Sequence, residues 1–229
     1  MATVTAQSII DKAEILLQDT TNVRWSSTEL LDWLNDGQRE VALHKPESTA
    51  TNESFALTQN STKQTIPALG LTFIRLTRNM GANGLAPGKA IRIVSREVLD
   101  AQNPDWHTEI SAGYIKHYTF DPLDPKTFYV YPKAPATGLY VEIVYSKAPT
   151  NASAGSAISV DDTYANALLD YVMFRAYSKD AEYAQNGQLA VSYYTSFANS
   201  IGLNTSKALE RNPNLVDGGA NPNVLRRAG

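Results

Sequence analysis

Apolar residues recur at a helical period at both ends of this chain and at a period of two through its middle. Near the N-terminus, Ile9, Ile10, Ala13, Leu16 and Leu17 fall on one helical face. Thr5 stands as N-cap, and Val4 and Ile9 have the spacing of a hydrophobic staple. Asp19-Thr20-Thr21-Asn22 ends that helix. The next start is marked twice, by Ser26 and Glu29 at capping-box spacing and by Trp25 and Leu30 at staple spacing. Leu30, Leu31, Leu34, Val41 and Ala42 form its buried stripe, and Pro46 closes it. Gly37 lies inside the helix, where glycine costs ~1 kcal/mol relative to alanine, so it predicts close packing against a neighbouring helix.

From about residue 50 the pattern alternates. Glu53–Thr58 and Lys63–Ile66 read as strands of a hairpin across Gln59-Asn60-Ser61. Leu71–Thr77 and Ala90–Val94 are further strands, separated by a loop rich in Gly and Asn. Ser95 is placed to cap a short helix through Leu99, stopped near Asn103-Pro104. Tyr114–Phe120, Thr127–Tyr131 and Leu139–Tyr145 alternate clearly, and their short Pro-containing links predict an antiparallel meander.

Helical spacing returns after the polar stretch Asn151–Ser156. Ser159 and Asp162 have capping spacing, and Asp161 and Asp162 put negative charge at the helix start. Ala167, Leu168, Tyr171, Val172 and Arg175 share a stripe. A last helix carries Leu189, Tyr193, Phe197 and Ile201 at i+4 spacing, with Ala190 and Tyr194 beside them and Gly202 as its end. Residues 207–229 hold Asn, Pro and Gly with few large apolar side chains and do not fold alone. Each helix pair has one apolar stripe and nothing nearby to bury it against. Packing the pairs on each other solves this. The predicted fold is α+β: a four-helix bundle from residues 1–49 and 151–206, an inserted antiparallel β-rich domain over 50–150, and an extended C-terminal tail over 207–229.

Composition removes several kinds of chemistry. There is no cysteine, hence no disulfide, thiolate metal site or cysteine nucleophile. The N-terminus lacks the pattern of a signal peptide, and no apolar run approaches the ~20 residues of a membrane span, which leads us to expect a soluble protein assembled in the cytoplasm. The net charge of −3 is unevenly spread: residues 1–49 carry four Lys/Arg against eight Asp/Glu, and residues 151–206 two against five. Residues 50–150 carry ten against eight and residues 207–229 four against two. No basic face of the kind that binds nucleic acid specifically emerges.

Catalytic motifs are missing as well: no phosphate-binding glycine loop, H-E-x-x-H or G-x-S-x-G occurs. Asp105, His107 and Glu109 would share a face if their segment were a strand, with His117 able to approach, but a metal also needs register and a second shell, and a solvated strand face is by far the simpler reading. Asp121 and Asp124 sit in a Pro-rich turn and read as turn formers. We therefore expect no enzyme, no metal and no cofactor. Arg175 is the charge that stands out, since a cation on an apolar stripe needs a partner. Asp32 or Asp36 of the first helix pair would supply one internally; a contact between subunits is the other reading.

The stretch Tyr164–Ala184, YANALLDYVMFRAYSKDAEYA, followed by Tyr193-Tyr194 and Phe197, resembles the third and fourth helices of podovirus-type phage head-to-tail adaptors of the tail tubular protein A-like or head completion kind. Phe128-Tyr129-Val130-Tyr131-Pro132, then Val144-Tyr145 and Pro149, is similar to the strands before that helix, and Ser26–Asn35 with Trp33 to their second helix. The resemblance implies a structural protein of the virion, forming a dodecameric ring at the head-tail junction between portal protein and tail nozzle or tube. Genomic DNA would pass through its channel without sequence-specific binding. It further implies that the C-terminal extension docks on the portal, making Leu209, Arg211, Leu215, Val216, Val224, Leu225, Arg226 and Arg227 the candidate interface, with Arg175, Asp32 and Asp36 as bundle or subunit contacts. A different function, a glycan-binding β-sandwich on a helical stalk, rests on the tyrosine-rich strands and on Trp106.

Overall fold

The computed structural model describes residues 3–180 and 184–202. Its elements run α1 (Ala6–Leu16), α2 (Ser27–His44), β1 (Ala50–Ala56), β2 (Lys63–Thr65), β3 (Gly70–Asn79), β4 (Arg92–Ile93), α3 (Arg96–Gln102), β5 (His117–Phe120), β6 (Thr127–Tyr131), β7 (Tyr140–Lys147), α4 (Ala165–Lys179) and α5 (Ala184–Ser200). The fold is α+β, with five α-helices and two sheets among the described residues.

The helix starts follow local chemistry. Thr5 accepts a hydrogen bond from the Ser8 N–H at 3.3 Å, and Ser26 accepts one from the Glu29 N–H at 3.2 Å. Glu29 does not complete the capping box. Its carboxylate accepts instead from Lys179 Nζ at 2.7 Å, which ties the start of α2 to the end of α4. The expected cap at Ser159 is displaced too. Asp161 caps a 3₁₀ turn, Asp162–Tyr164, that leads into α4, because Ser159 is engaged elsewhere: its hydroxyl donates to the Thr150 carbonyl at 2.7 Å.

One apolar cluster joins the long helices. Ile9, Ile10 and Ala13 of α1, Leu30, Leu34 and Val41 of α2, Leu168, Val172 and Met173 of α4, and Phe197 with Ile201 at the end of α5 are buried together. Helix α4 contacts each of α1, α2 and α5. A Cβ on Gly37 would meet the Tyr171 ring at 3.0 Å and Leu168 at 3.2 Å, so the glycine is the point where α2 closes on α4. Two stripe positions differ from expectation. Leu16 is 50% exposed and Leu189 42% exposed, because α1 and α5 each bury a narrower face than their apolar residues span.

The strands form two sheets, ordered β1-β7-β3 and β2-β6-β5-β4. Their inner faces share a second cluster, in which Phe73 of β3 stacks on Phe128 of β6 at 4.6 Å. The hairpin expected between Glu53–Thr58 and Lys63–Ile66 does not form: β1 pairs with β7 and β2 with β6. The expected meander is half present. β5 and β6 pair antiparallel, but β7 crosses to the other sheet as its centre. Alternation records which face of a strand is buried and is silent about its neighbour; links as long as Pro132–Gly138 are free to cross the apolar layer. Strand β4 is short and pairs parallel to β5, with α3 as the crossover. Helix α3 forms as expected and stops at Asn103, though Ser95 makes no side-chain cap.

Candidate functional site

The sharpest arrangement of polar groups lies where the β-rich segment rejoins the helices. Asn35 and Gln38 project from α2 into the interior, 6% and 1% exposed. The Asn35 amide donates to the Ala152 carbonyl at 3.1 Å and accepts from the Ala152 N–H at 2.8 Å, so one side chain satisfies both backbone groups of a buried residue. Gln38 Nε2 donates to Asn35 Oδ1 at 3.0 Å, and Gln38 Oε1 accepts from the Ser159 N–H at 2.5 Å. From the other side the N-terminal backbone ties the same segment: the Ala6 and Gln7 N–H groups donate to the carbonyls of Ser156 and Ala154, at 3.0 and 2.8 Å. The Asp162 carboxylate accepts from the N–H groups of Thr3 and Val4 and from the Thr3 hydroxyl. The Val4 N–H first, then the Thr3 hydroxyl and N–H, hold this carboxyl below the usual range. The chain thus re-enters the helical part through one hydrogen-bonded junction.

At the far end of the helices, Asp19 accepts from the N–H groups of Trp25, Arg24 and Val23, chiefly the first, and its carboxyl is lowered accordingly. Arg24 of this connection pairs with Asp180 at the end of α4. Arg175 departs from expectation. It lies exposed on α4, and among the described residues it makes no ion pair with Asp32 or Asp36. Asp36 is taken by Arg39 at 2.6 Å, and Asp32 is exposed. The stripe of α4 is filled by Leu168, Tyr171, Val172 and Ala176, which leaves position 175 at its edge, where a long side chain reaches water. Leu209, Arg211, Leu215, Val216, Val224, Leu225, Arg226 and Arg227 lie outside the described residues.

The structure disperses the remaining chemical candidates. Residues 104–108 form turns and not a strand, so Asp105, His107 and Glu109 do not share a face. His107 Nδ1 lies 2.8 Å from the Thr62 hydroxyl, and Glu109 accepts from the Asn103 amide at 3.0 Å. Among the described residues no three His, Asp or Glu side chains are close enough to hold a metal ion. Trp106 is fully buried over the outer face of β6, between Tyr129 and Tyr131, and its Nε1 donates to Asp100 at 2.8 Å. It offers no platform for a sugar. Asp121 accepts from the Leu123 N–H at 2.9 Å, as a turn former does.

Sequence patterning also missed surface features. Ile15 and Leu16 on α1 and Val23 after it are exposed, as are Val191 and Tyr194 on α5. Exposed apolar side chains therefore lie on both α1 and α5, and their signal was surplus: more apolar residues than one stripe can bury. Among the described residues no helix is long and apolar enough to cross a membrane.

No curated protein sequence matches this chain. The model of the SU10 adaptor protein family does, over residues 4–217, which takes in both helix pairs, every strand and the junction that joins them. The chain belongs to the SU10 adaptor protein family.

Proposed function

We propose that this protein is the head-to-tail adaptor of a tailed bacteriophage, a non-enzymatic ring subunit seated between the portal and the tail nozzle. The family match across nearly the whole chain carries the reading. In it, α1, α2, α4 and α5 act as a four-helix bundle built from residues 1–49 and 151–206. Residues 50–150 form the inserted β domain, and 207–229 an extension that docks on the portal through Leu209, Arg211, Leu215, Val216, Val224, Leu225, Arg226 and Arg227. The exposed apolar side chains of α1 and α5 support a head-to-tail contact between neighbouring copies, since unlike surfaces on one chain generate rings when the rotation closes. Arg175, Asp32 and Asp36 belong to that contact rather than to the interior. The acidic excess of residues 1–49 and 151–206 suits a channel through which DNA passes without sticking. Subunits are made in the host cytoplasm, assemble as a dodecamer and are retained in the virion at the head-tail junction. The glycan-binding alternative loses its main motive with the burial of Trp106.

Mass measurement of the purified protein, alone and with portal rings, tests this reading. A ring-sized increment on the portal is expected, lost when residues 207–229 are removed. A protein that stays monomeric and ignores the portal refutes the adaptor role, and unchanged portal binding by the truncated chain refutes the role given to the extension.

A further inference from the structure

We propose that the cavity between β3 and the segment 90–93 is an oxyanion-binding site, taking a carboxylate or phosphate group between Arg75 and Arg92. Both arginines line this half-open cavity of about 500 Å³, together with Thr77 and Tyr118, and no acidic residue lines it. Among the described residues neither guanidinium forms an ion pair, although Arg39, Arg78 and Arg96 each have a carboxylate within 4 Å.

The Arg75 Nε is buried and makes no hydrogen bond. Buried cationic donors without partners are costly, and two cations on one cavity repel each other, so an anion is the missing component. Arginine's planar fork matches an oxyanion through paired hydrogen bonds. The Tyr118 hydroxyl, which lies within the field of Arg75, adds a polar group at the same place.

The backbone is shaped locally around this point. Strand β3 shifts register between Phe73 and Arg75 and again between Leu76 and Arg78. Irregularities of this kind re-aim side chains beside functional sites. The cavity exceeds the size of a bare phosphate, and Leu76 and Ile91 supply apolar wall for whatever carries the charged group. Two sources fit that chemistry: a small free anion, or an acidic side chain of a second copy, whose residues 1–49 carry eight carboxylates against four cations. The proposal stands independently of the adaptor reading.

Calorimetric titration of the full-length protein with inorganic phosphate and with glutarate, at constant ionic strength, tests it. Saturable binding of at least one probe is expected, weakened at least tenfold by Arg75→Gln and by Arg92→Gln and unchanged by Arg39→Gln. Arg92 is exposed, so its variant keeps the test valid should Arg75→Gln fail to fold. Absence of saturable binding, or binding that survives both substitutions, overturns the site. The mass of the protein in each probe then separates the sources. Dissociation of oligomers by the probe assigns the anion to a second copy, and an unchanged mass assigns it to a free ligand.

Discussion

Replacing Asn35 by alanine removes three hydrogen bonds from the interior of the helical part and leaves the N–H and carbonyl of Ala152 facing apolar atoms. Ala152 is 6% exposed, so water does not reach it without a rearrangement. Each buried polar group left unsatisfied costs about 1–3 kcal/mol. Alanine returns about 0.6 kcal/mol through its better helix propensity at a mid-helix position. The expected net loss is about 3 kcal/mol, or roughly 6–12 °C in Tm at the 2–4 °C per kcal/mol typical of chains of this length. Gln38→Ala frees only the Ser159 N–H and should cost about half as much. Because Gln38 also donates to Asn35, the double variant should fall short of the sum of the singles by about 0.5 kcal/mol or more.

Urea unfolding followed by tryptophan fluorescence and far-UV circular dichroism measures these losses. Trp25 and Trp33 report on the helical cluster and Trp106 on the β-rich part. If the two parts unfold separately, the helical transition alone should move, since the junction contributes nothing to the cluster around Phe73 and Phe128. An Asn35→Ala protein within about 0.5 kcal/mol of the parent, a shift typical of ordinary surface substitutions, would refute the claim that this amide holds the junction.

Other expectations follow from single contacts. Gly37→Val should lose about 2 kcal/mol in thermal denaturation, since overpacking against Tyr171 and Leu168 outweighs the ~1 kcal/mol or less gained in helix propensity; an unchanged Tm would mean that α2 and α4 separate freely. The depressed carboxyl of Asp162 contributes stability above the usual carboxylate range that is lost as pH falls through its folded value. Asp162→Asn should therefore flatten the acid limb of a circular-dichroism pH titration, and superimposable limbs would contradict this. Tyr145, buried and donating to Glu53 at 2.9 Å, is pushed up to about 12. Its contribution is present below the ordinary tyrosine value of 10 and lost as pH rises through about 12. Phenolate absorbance, differenced against Tyr145→Phe, should show this titration shifted downward in Glu53→Gln.

What could be read in advance, and what could not, divides by range. Thr5, Ser26 and Gly37 were legible because a cap is settled within three or four residues and a mid-helix glycine marks a close approach whatever supplies the other side. The strands were legible as strands but not as neighbours, since alternation is the same for β7 at the centre of one sheet as for a third strand in a meander. Arg175 was not legible because spacing alone places it on the stripe of α4, while a long side chain at the edge of that stripe has a route to water.

The buried amides show the limit most clearly. Asn35 reaches a residue 117 positions away, and Asn79 binds the carbonyls of Lys89 and Ile115 and the Ile115 N–H, the latter 36 positions on. Gln64 does the same for Thr58 and Ser61 over shorter spans. Each supplies, from a side chain, hydrogen bonds that a strand neighbour would otherwise provide to an irregular segment. None carries a charge that would flag it in a search for chemistry. A signal did exist at Asn35 and Gln38: uncharged polar residues three apart, set among Leu34, Gly37 and Val41 on a helix otherwise burying apolar side chains. An amide there must find backbone to bind, because leaving it unpaired costs more than the helix gains by burying it. In a chain that leaves α2 at His44 and resumes helix only at α4, the backbone nearest at hand is the return segment itself. An uncharged amide on a buried helical face, opposite a long insertion, therefore points to the place where that insertion rejoins.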